Sequence, residues 1–166
     1  MKKLKLVVIG NGMAGMRAID ELLKLAPELY DITVIGKEPY GNYNRIMLSP
    51  VLAGEKHFDD IVLHTPEWYI KQGIELISGQ LVVDVNRRQR QVLTDQGLSI
   101  PYDRLLFATG SVPFIIPIPN HNHASVLSFR DIQDVEAMLA ATVAKKKVAV
   151  IGGGLLGLEA ANGLLK

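Results

Sequence analysis

The chain has 166 residues, 48% of them apolar and 21% charged, with a formal net charge of +1. That length suits one domain, or one domain plus part of another, and the apolar share excludes a disordered chain. The near-zero charge argues against a dedicated nucleic-acid binder, and the absence of cysteine excludes a disulfide, a thiolate zinc site, an iron–sulfur cluster or a cysteine nucleophile within these residues.

Residues 4–9 are rich in Leu, Val and Ile and end at Gly10, which predicts a strand of a parallel sheet covered on both faces. The run is too short for a signal-peptide core, and no apolar run approaches the ~20 residues that span a bilayer. A soluble cytoplasmic protein with no membrane partner is the expectation. Residues 13–25 space Met16, Ile19, Leu22 and Leu23 as on one helix, stopped by Pro27. Residues 31–35 are a second apolar strand and complete a βαβ unit. Residues 36–54, rich in Tyr, Asn, Pro and Gly, read as irregular, and so long a loop in a compact domain is usually functional. Residues 66–72 read as a short helix with Thr65 as N-cap and Pro66 first.

Short strands follow at 74–77 and 81–85. Two more, at 91–93 and 98–100, flank the turn Asp95-Gln96-Gly97 as a small antiparallel insertion. Residues 105–108 read as another buried strand. Residues 112–120 hold three prolines and read as a connector. His121 and His123 lie just beyond it and read as solvated or capping residues rather than metal ligands. Residues 131–144 read as a helix, with 145–147 as its solvated basic end. The opening pattern then returns: a strand at 147–151, a glycine-rich turn at 152–157 and the start of a helix at 158–166.

Gly10-Asn11-Gly12-Met13-Ala14-Gly15 and Gly152-Gly153-Gly154-Leu155-Leu156-Gly157 both match G-x-G-x-x-G. In this motif the first glycine permits the tight turn and the second lets backbone approach a pyrophosphate. The third lets the helix pack close to the sheet. The helix N-terminus then offers free N–H groups to phosphate. Each turn leaves a predicted strand and opens a predicted helix, which is the context the motif requires. Two such turns imply two dinucleotides, most simply a nicotinamide donor and a flavin acceptor. An acid after the second strand should meet the first ribose. Glu38 is the candidate, with Lys37 at the neighbouring position where an acid could also stand.

With these residues in view, the chain resembles the FAD-dependent pyridine nucleotide-disulfide oxidoreductases. Within them it is most similar to the N-terminal part of the large subunits of NAD(P)H-dependent nitrite reductases. The resemblance rests on the first glycine turn, Tyr43-Asn44-Arg45-Ile46-Met47-Leu48-Ser49, Trp68-Tyr69 with Gly73-Ile74-Glu75-Leu76, and Ala108-Thr109-Gly110-Ser111 with Pro113. Phe129-Arg130-Asp131 with Asp134, and residues 152–159, complete it.

The resemblance implies an α/β fold: a Rossmann-like FAD-binding domain over 1–115, with a parallel sheet and a small antiparallel insertion. A connector and the start of a second, NAD(P)-binding Rossmann unit over 116–166 would follow. It further implies that Gly10, Gly12, Met13, Ala14 and Gly15 hold the FAD pyrophosphate, that Glu38 faces the adenosine ribose and that Arg45 and Ser49 approach the flavin. Val82 would meet adenine through its backbone, and Thr109 and Gly110 would pass close to the cofactor. Gly152, Gly154, Leu155, Leu156 and Gly157 would hold the NAD(P)H phosphates, and Glu159, the candidate catalytic residue, would lie near the nicotinamide–flavin contact. Pro50 stands where related ferredoxin and rubredoxin reductases often carry a Lys opposite that Glu.

By the same resemblance the expected activity is electron transfer from NAD(P)H through FAD to downstream centres that reduce nitrite to ammonia. Siroheme and iron–sulfur groups would belong only to later domains. The alternatives are an NADH-dependent rubredoxin or ferredoxin reductase, and a non-catalytic dinucleotide-binding or interaction module. Because the second glycine turn opens a unit that ends at Lys166, the chain is expected to be a truncated piece of a longer protein. Alone it is not expected to turn over and is expected to self-associate. Its partners would be the dinucleotides, the remaining domains of that protein and a possible small subunit.

Overall fold

The computed structural model describes residues 3–143 and 147–166. In chain order the elements are β1 (Leu4–Ile9), α1 (Met13–Leu25), β2 (Tyr30–Gly36), β3 (Asn42–Tyr43), a 3-10 turn (Arg45–Met47) and α2 (Leu48–Leu52). A second 3-10 turn (Phe58–Ile61), β4 (Val62–His64), α3 (Pro66–Gln72), β5 (Glu75–Ser78), β6 (Val82–Asn86) and β7 (Gln91–Thr94) follow. The last are β8 (Ser99–Pro101), β9 (Arg104–Phe107), α4 (Ile132–Thr142) and α5 (Leu155–Leu165). They divide into two compact units, one of Met1–Tyr43 with Val62–Gly110, the other of Asn44–Ile61 with Ser111–Lys166.

The first unit is built on a four-stranded parallel sheet in the order β5-β2-β1-β9. Side chains alternate across a strand, and the alternation sorts the core into two layers. Leu6 and Val8 of β1, with Ile32 and Val34 of β2, pack with Met16 and Ile19 of α1 and with Tyr69 beside α3's partner Ile74. Val7, Ile9 and Ile35 point the other way, onto Val92 and Ile100 of the antiparallel sheet β6-β7-β8. Val8 and Val34 are fully buried, which is why continuous aliphatic runs serve here. α3 starts at Thr65 and Pro66 and ends at Gly73, whose left-handed φ of +67° lets the Ile74 N–H reach back to the Tyr69 carbonyl. The Thr65 hydroxyl does not cap a backbone N–H; it holds the Glu67 carboxyl below its ordinary range instead.

The second unit packs α2 against α4 and α5. α4 opens with a capping box: Asp131 accepts from the Asp134 N–H at 3.1 Å, and the Asp134 carboxylate takes the N–H groups of Arg130 (2.6 Å) and Asp131 (3.2 Å). Asp134 also accepts from Ser128 Oγ at 2.7 Å. Gly163 of α5 lies so close to α2 that a Cβ there would stand 2.9 Å from Leu52 Cγ.

Three sequence expectations change. Residues 36–54 are not wholly irregular: the Asn44 side chain accepts from the Ile46 N–H to open a 3-10 turn, and Leu48, Val51 and Leu52 bury one face of α2. β9 is not buried but forms the sheet edge, with Phe107 63% exposed. Residues 147–151 form no strand. A strand exists by its ladder, and among the described residues none pairs with this segment, which leaves Val148 and Ile151 exposed. The expected helix end at Ala144, and Lys145 and Lys146 after it, lie outside the described residues. His121 and His123 sit on an exposed loop against its own backbone: His121 Nδ1 lies 2.9 Å from the Ile118 carbonyl, and His123 Nδ1 accepts from the Ser125 N–H at 3.1 Å.

Candidate dinucleotide-binding sites

In the first unit, β1 runs straight into the first glycine turn. Gly10 has φ +112°, and its N–H donates to the Ile35 carbonyl at 2.8 Å. A Cβ on Gly10 would stand 2.1 Å from the Ala108 carbonyl oxygen, and one on Gly15 would stand 2.8 Å from Ala108 Cβ. Both glycines therefore make room for the protein's own atoms, Gly10 for backbone and Gly15 for the Ala108 methyl and the Gly10 carbonyl. Gly12 differs. It is the N-cap of α1 with ordinary extended dihedrals and no side chain to cap the helix, and a Cβ there would meet no atom within 4 Å. The first-turn N–H groups of a helix point out of its N-terminus, and here they face open space with no acid in the first turn of α1. The turn is thus a backbone cradle of partial positive charge with room beside it for an anionic group.

The second turn, in the second unit, repeats this geometry. Gly152 has φ +120°, and Gly154 is the uncapped N-cap of α5 with φ −73° and ψ 173°, against −86° and 173° at Gly12. A Cβ on Gly157 would stand 2.0 Å from the Gly152 carbonyl oxygen and 3.5 Å from Val150 Cγ1; one on Gly15 stands 3.1 Å and 3.6 Å from Gly10 O and Val8 Cγ1. A Cβ on Gly154 again meets nothing within 4 Å. The same backbone device is used twice. Leu155 and Leu156 are exposed beside the second turn. Met13 is half-buried and Ala14 exposed beside the first.

The first unit also carries Glu38, Val82, Thr109 and Gly110. Glu38 follows β2, half-buried, and its Oε2 accepts from the Tyr43 hydroxyl at 2.6 Å, so its carboxylate is held in place while Lys37 is exposed. Val82 opens β6, packed against the second core layer. Thr109 and Gly110 follow β9, exposed, with Gly110 at φ +71°. The second unit carries Arg45, Ser49 and Glu159. Arg45 Nη1 donates to the Arg130 carbonyl at 3.2 Å. Ser49 Oγ donates to Glu159 Oε2 at 2.6 Å, bringing together two side chains 110 positions apart. A cavity of about 170 Å³ lies beside them, lined also by Pro50, Ala53 and Asn162.

The sequence reading missed a set of polar residues behind the first turn: Asn42 and Tyr69, which are buried, and Asn11, His64 and Asp20, which are partly so. Tyr69 is 1% exposed and donates to Asn11 Oδ1 at 2.7 Å. Burial pushes its phenol up to about 12, against the lowering effect of the Asn42 N–H and of Asn11. No local spacing betrays such a set, because its members come from different elements. Only Asn11, a side-chain donor and acceptor between two glycines, was a visible signal.

Comparison with known proteins now decides the lineage. The sequence profile described as pyridine nucleotide-disulphide oxidoreductase matches residues 4–166. The chain belongs to this family. It is 52% identical over 165 residues to a Bacillus subtilis nitrite reductase [NAD(P)H], covering 99% of this chain and 20% of that protein. It is 50% identical over 164 residues to the assimilatory nitrate reductase electron transfer subunit of the same organism, covering 99% and 21%. It thus spans about a fifth of the length of these relatives. The crystal structure of NADH:rubredoxin oxidoreductase from Clostridium acetobutylicum superposes with a TM-score of 0.86 at 31% identity, over 99% of this chain and 42% of that one. The expected α/β class, with its parallel sheet and small antiparallel insertion, is the family's fold. Among the described residues no helix is long and apolar enough to cross a membrane.

Proposed function

We propose that this chain is the FAD-binding part of an NAD(P)H-dependent electron-transfer module serving nitrite reduction. The observation that carries the reading is the open space at Gly12, where a Cβ would meet no atom within 4 Å, the room that a pyrophosphate would need. The 52%-identical nitrite reductase [NAD(P)H] supports electron flow from NAD(P)H toward nitrite, and the 50%-identical electron transfer subunit of an assimilatory nitrate reductase supports the electron-transfer role. FAD, when bound, supplies a carrier that takes a hydride and releases electrons singly.

The chain's own residues bind and orient. Gly10, Gly12, Met13, Ala14 and Gly15 would present backbone N–H groups to the FAD pyrophosphate. Glu38, steadied by Tyr43, would accept from the ribose hydroxyls. Val82 would meet the adenine, and Thr109 and Gly110 would line the cofactor's path. Gly152, Gly154, Leu155, Leu156 and Gly157 would hold the NAD(P)H phosphates. Arg45 and Ser49 would serve the flavin end, and Ser49, donating to Glu159, would fix that carboxylate for the nicotinamide contact. Residues 1–115 would form the flavin domain and 116–166 the connector and the start of the nicotinamide domain. Further domains, a small subunit and a cytoplasmic setting complete the proposal.

A second reading, a reductase for rubredoxin or ferredoxin, draws on the TM-score of 0.86 to the rubredoxin oxidoreductase. The test is to load the chain with FAD, record the visible flavin spectrum and add NADH or NADPH without oxygen. Bleaching of bound flavin supports the module. Bound flavin that neither nucleotide bleaches supports instead the non-catalytic dinucleotide-binding reading for this chain. Supplying nitrite-reducing centres or rubredoxin as acceptor then separates the two readings.

A further inference from the structure

Asn11 is the residue between the two leading glycines of the first turn, and its side-chain amide and backbone carbonyl are all engaged. Its Oδ1 accepts from Tyr69, its Nδ2 donates to the Tyr40 carbonyl at 3.2 Å, and its backbone carbonyl accepts from Asn42 Nδ2 at 3.0 Å. Tyr69 is in turn fixed by accepting from the Asn42 N–H at 3.2 Å. Asn42, 1% exposed, has its Nδ2 committed and offers Oδ1 to His64 Nδ1 at 3.2 Å. His64 Nε2 faces Asp20 Oδ1 at 3.1 Å, and Asp20 stands on α1, the helix this turn opens. The Trp68 ring lies 4.0 Å from the His64 ring and keeps it in place. The chain of bonds therefore leaves the turn, crosses α3 and the β3–β4 pair, and returns to the helix behind the turn. A connected hydrogen-bond network with Tyr69 and Asn42 at its buried centre rigidifies what it holds.

We propose that Tyr69, Asn42 and His64 are positioning residues for the first glycine turn, acting through Asn11. They hold its N–H groups in the pyrophosphate-receiving arrangement before any ligand arrives. Preorganisation of this kind raises affinity by removing the cost of ordering the loop on binding. The inference deepens the reading of this turn as the FAD site and rests on it for the ligand.

The experiment is a double-mutant cycle of Tyr69→Phe and Asn11→Ala on the whole chain. It is read by amide hydrogen exchange without ligand and by titration with FAD and, separately, NADPH. Each single variant is expected to speed exchange at residues 11–15 selectively and to raise the FAD Kd about tenfold, roughly 1.4 kcal/mol, with NADPH binding at the second turn unchanged. The double variant should be no worse than either single one, because both act through one side chain. Additive losses, unchanged exchange at 11–15, or equal acceleration across β1 and β7 would each overturn the proposal. Should Tyr69→Phe fail to fold, Asn11→Ala alone carries the test, and unchanged exchange at 11–15 or an unchanged FAD Kd in it overturns the proposal. Unliganded wild type that takes up no FAD, while the exchange cycle behaves as stated, would defeat the FAD reading and leave the positioning role standing.

Discussion

Gly10→Ala and Gly12→Ala are the same chemical change two residues apart, and the structure assigns them opposite consequences. At Gly10 the new methyl would stand 2.1 Å from the Ala108 carbonyl oxygen and 2.6 Å from its carbon. That backbone cannot yield freely, because the Ala108 N–H is bonded to the Ile9 carbonyl at 2.8 Å. An L-residue at φ +112° adds left-handed strain of roughly 1–2 kcal/mol. Forcing the overlap adds roughly 1–3 kcal/mol, so a loss of roughly 2–5 kcal/mol is expected, a large part of the ~5–15 kcal/mol of a typical domain. At Gly12 the dihedrals are ordinary and the methyl meets nothing, so stability should stay within about 0.5 kcal/mol of wild type. FAD affinity should nevertheless fall at least about tenfold, because the methyl fills the pyrophosphate space. Urea unfolding followed by Trp68, the sole tryptophan, gives the first quantity and FAD titration the second. Equal destabilisation by both variants, or unimpaired FAD binding by Gly12→Ala, would refute the division of labour between the two glycines.

Three further outcomes follow from particular contacts. Gly157→Ala would place a methyl 2.0 Å from the Gly152 carbonyl oxygen, and calorimetry should show NAD(P)H binding abolished with FAD binding retained. Tyr69, raised from 10.0 to about 12 by burial, binds its proton more tightly folded than unfolded. Its contribution, roughly 2–3 kcal/mol, is therefore intact below pH ~10 and lost as pH rises toward ~12. Tyrosinate absorbance should show a late-titrating phenol that is lost in Tyr69→Phe, and this variant should flatten the alkaline limb of the stability curve. Asp131→Ala removes one cap bond and should cost about 1 kcal/mol. Asp134→Ala strands the Ser128, Arg130 and Asp131 donors and should cost about 2 kcal/mol, read by exchange of the α4 amides.

What could be read from sequence was what is encoded locally. β1 and α1 appear with the boundaries that their aliphatic run and helical spacing indicate. Both glycine turns were legible because a motif of short span carries its own geometry. The edge position of β9 was not legible: a run of Leu105, Leu106 and Phe107 looks the same in the middle of a sheet as at its margin, and neighbours decide which. The segment 147–151 has a strand's composition but no ladder, since pairing is a property of two segments. α2 could have been found from Leu48, Val51 and Leu52 at helical spacing, had the surrounding Pro and Gly not favoured a loop. The Ser49–Glu159 bond joins positions too far apart for any window, and the Asn11 network joins the first turn, the β3–β4 pair, α3 and α1.

The central claim is that the first glycine turn holds FAD. Its most direct test is equilibrium titration of the chain with FAD, followed by flavin absorbance and fluorescence, for wild type and Gly12→Val. One saturable site is expected, competed by ADP through the shared pyrophosphate and lost in Gly12→Val while the unfolding curve stays in place. FAD binding that Gly12→Val leaves intact, or no FAD binding by the folded wild-type chain, would contradict it.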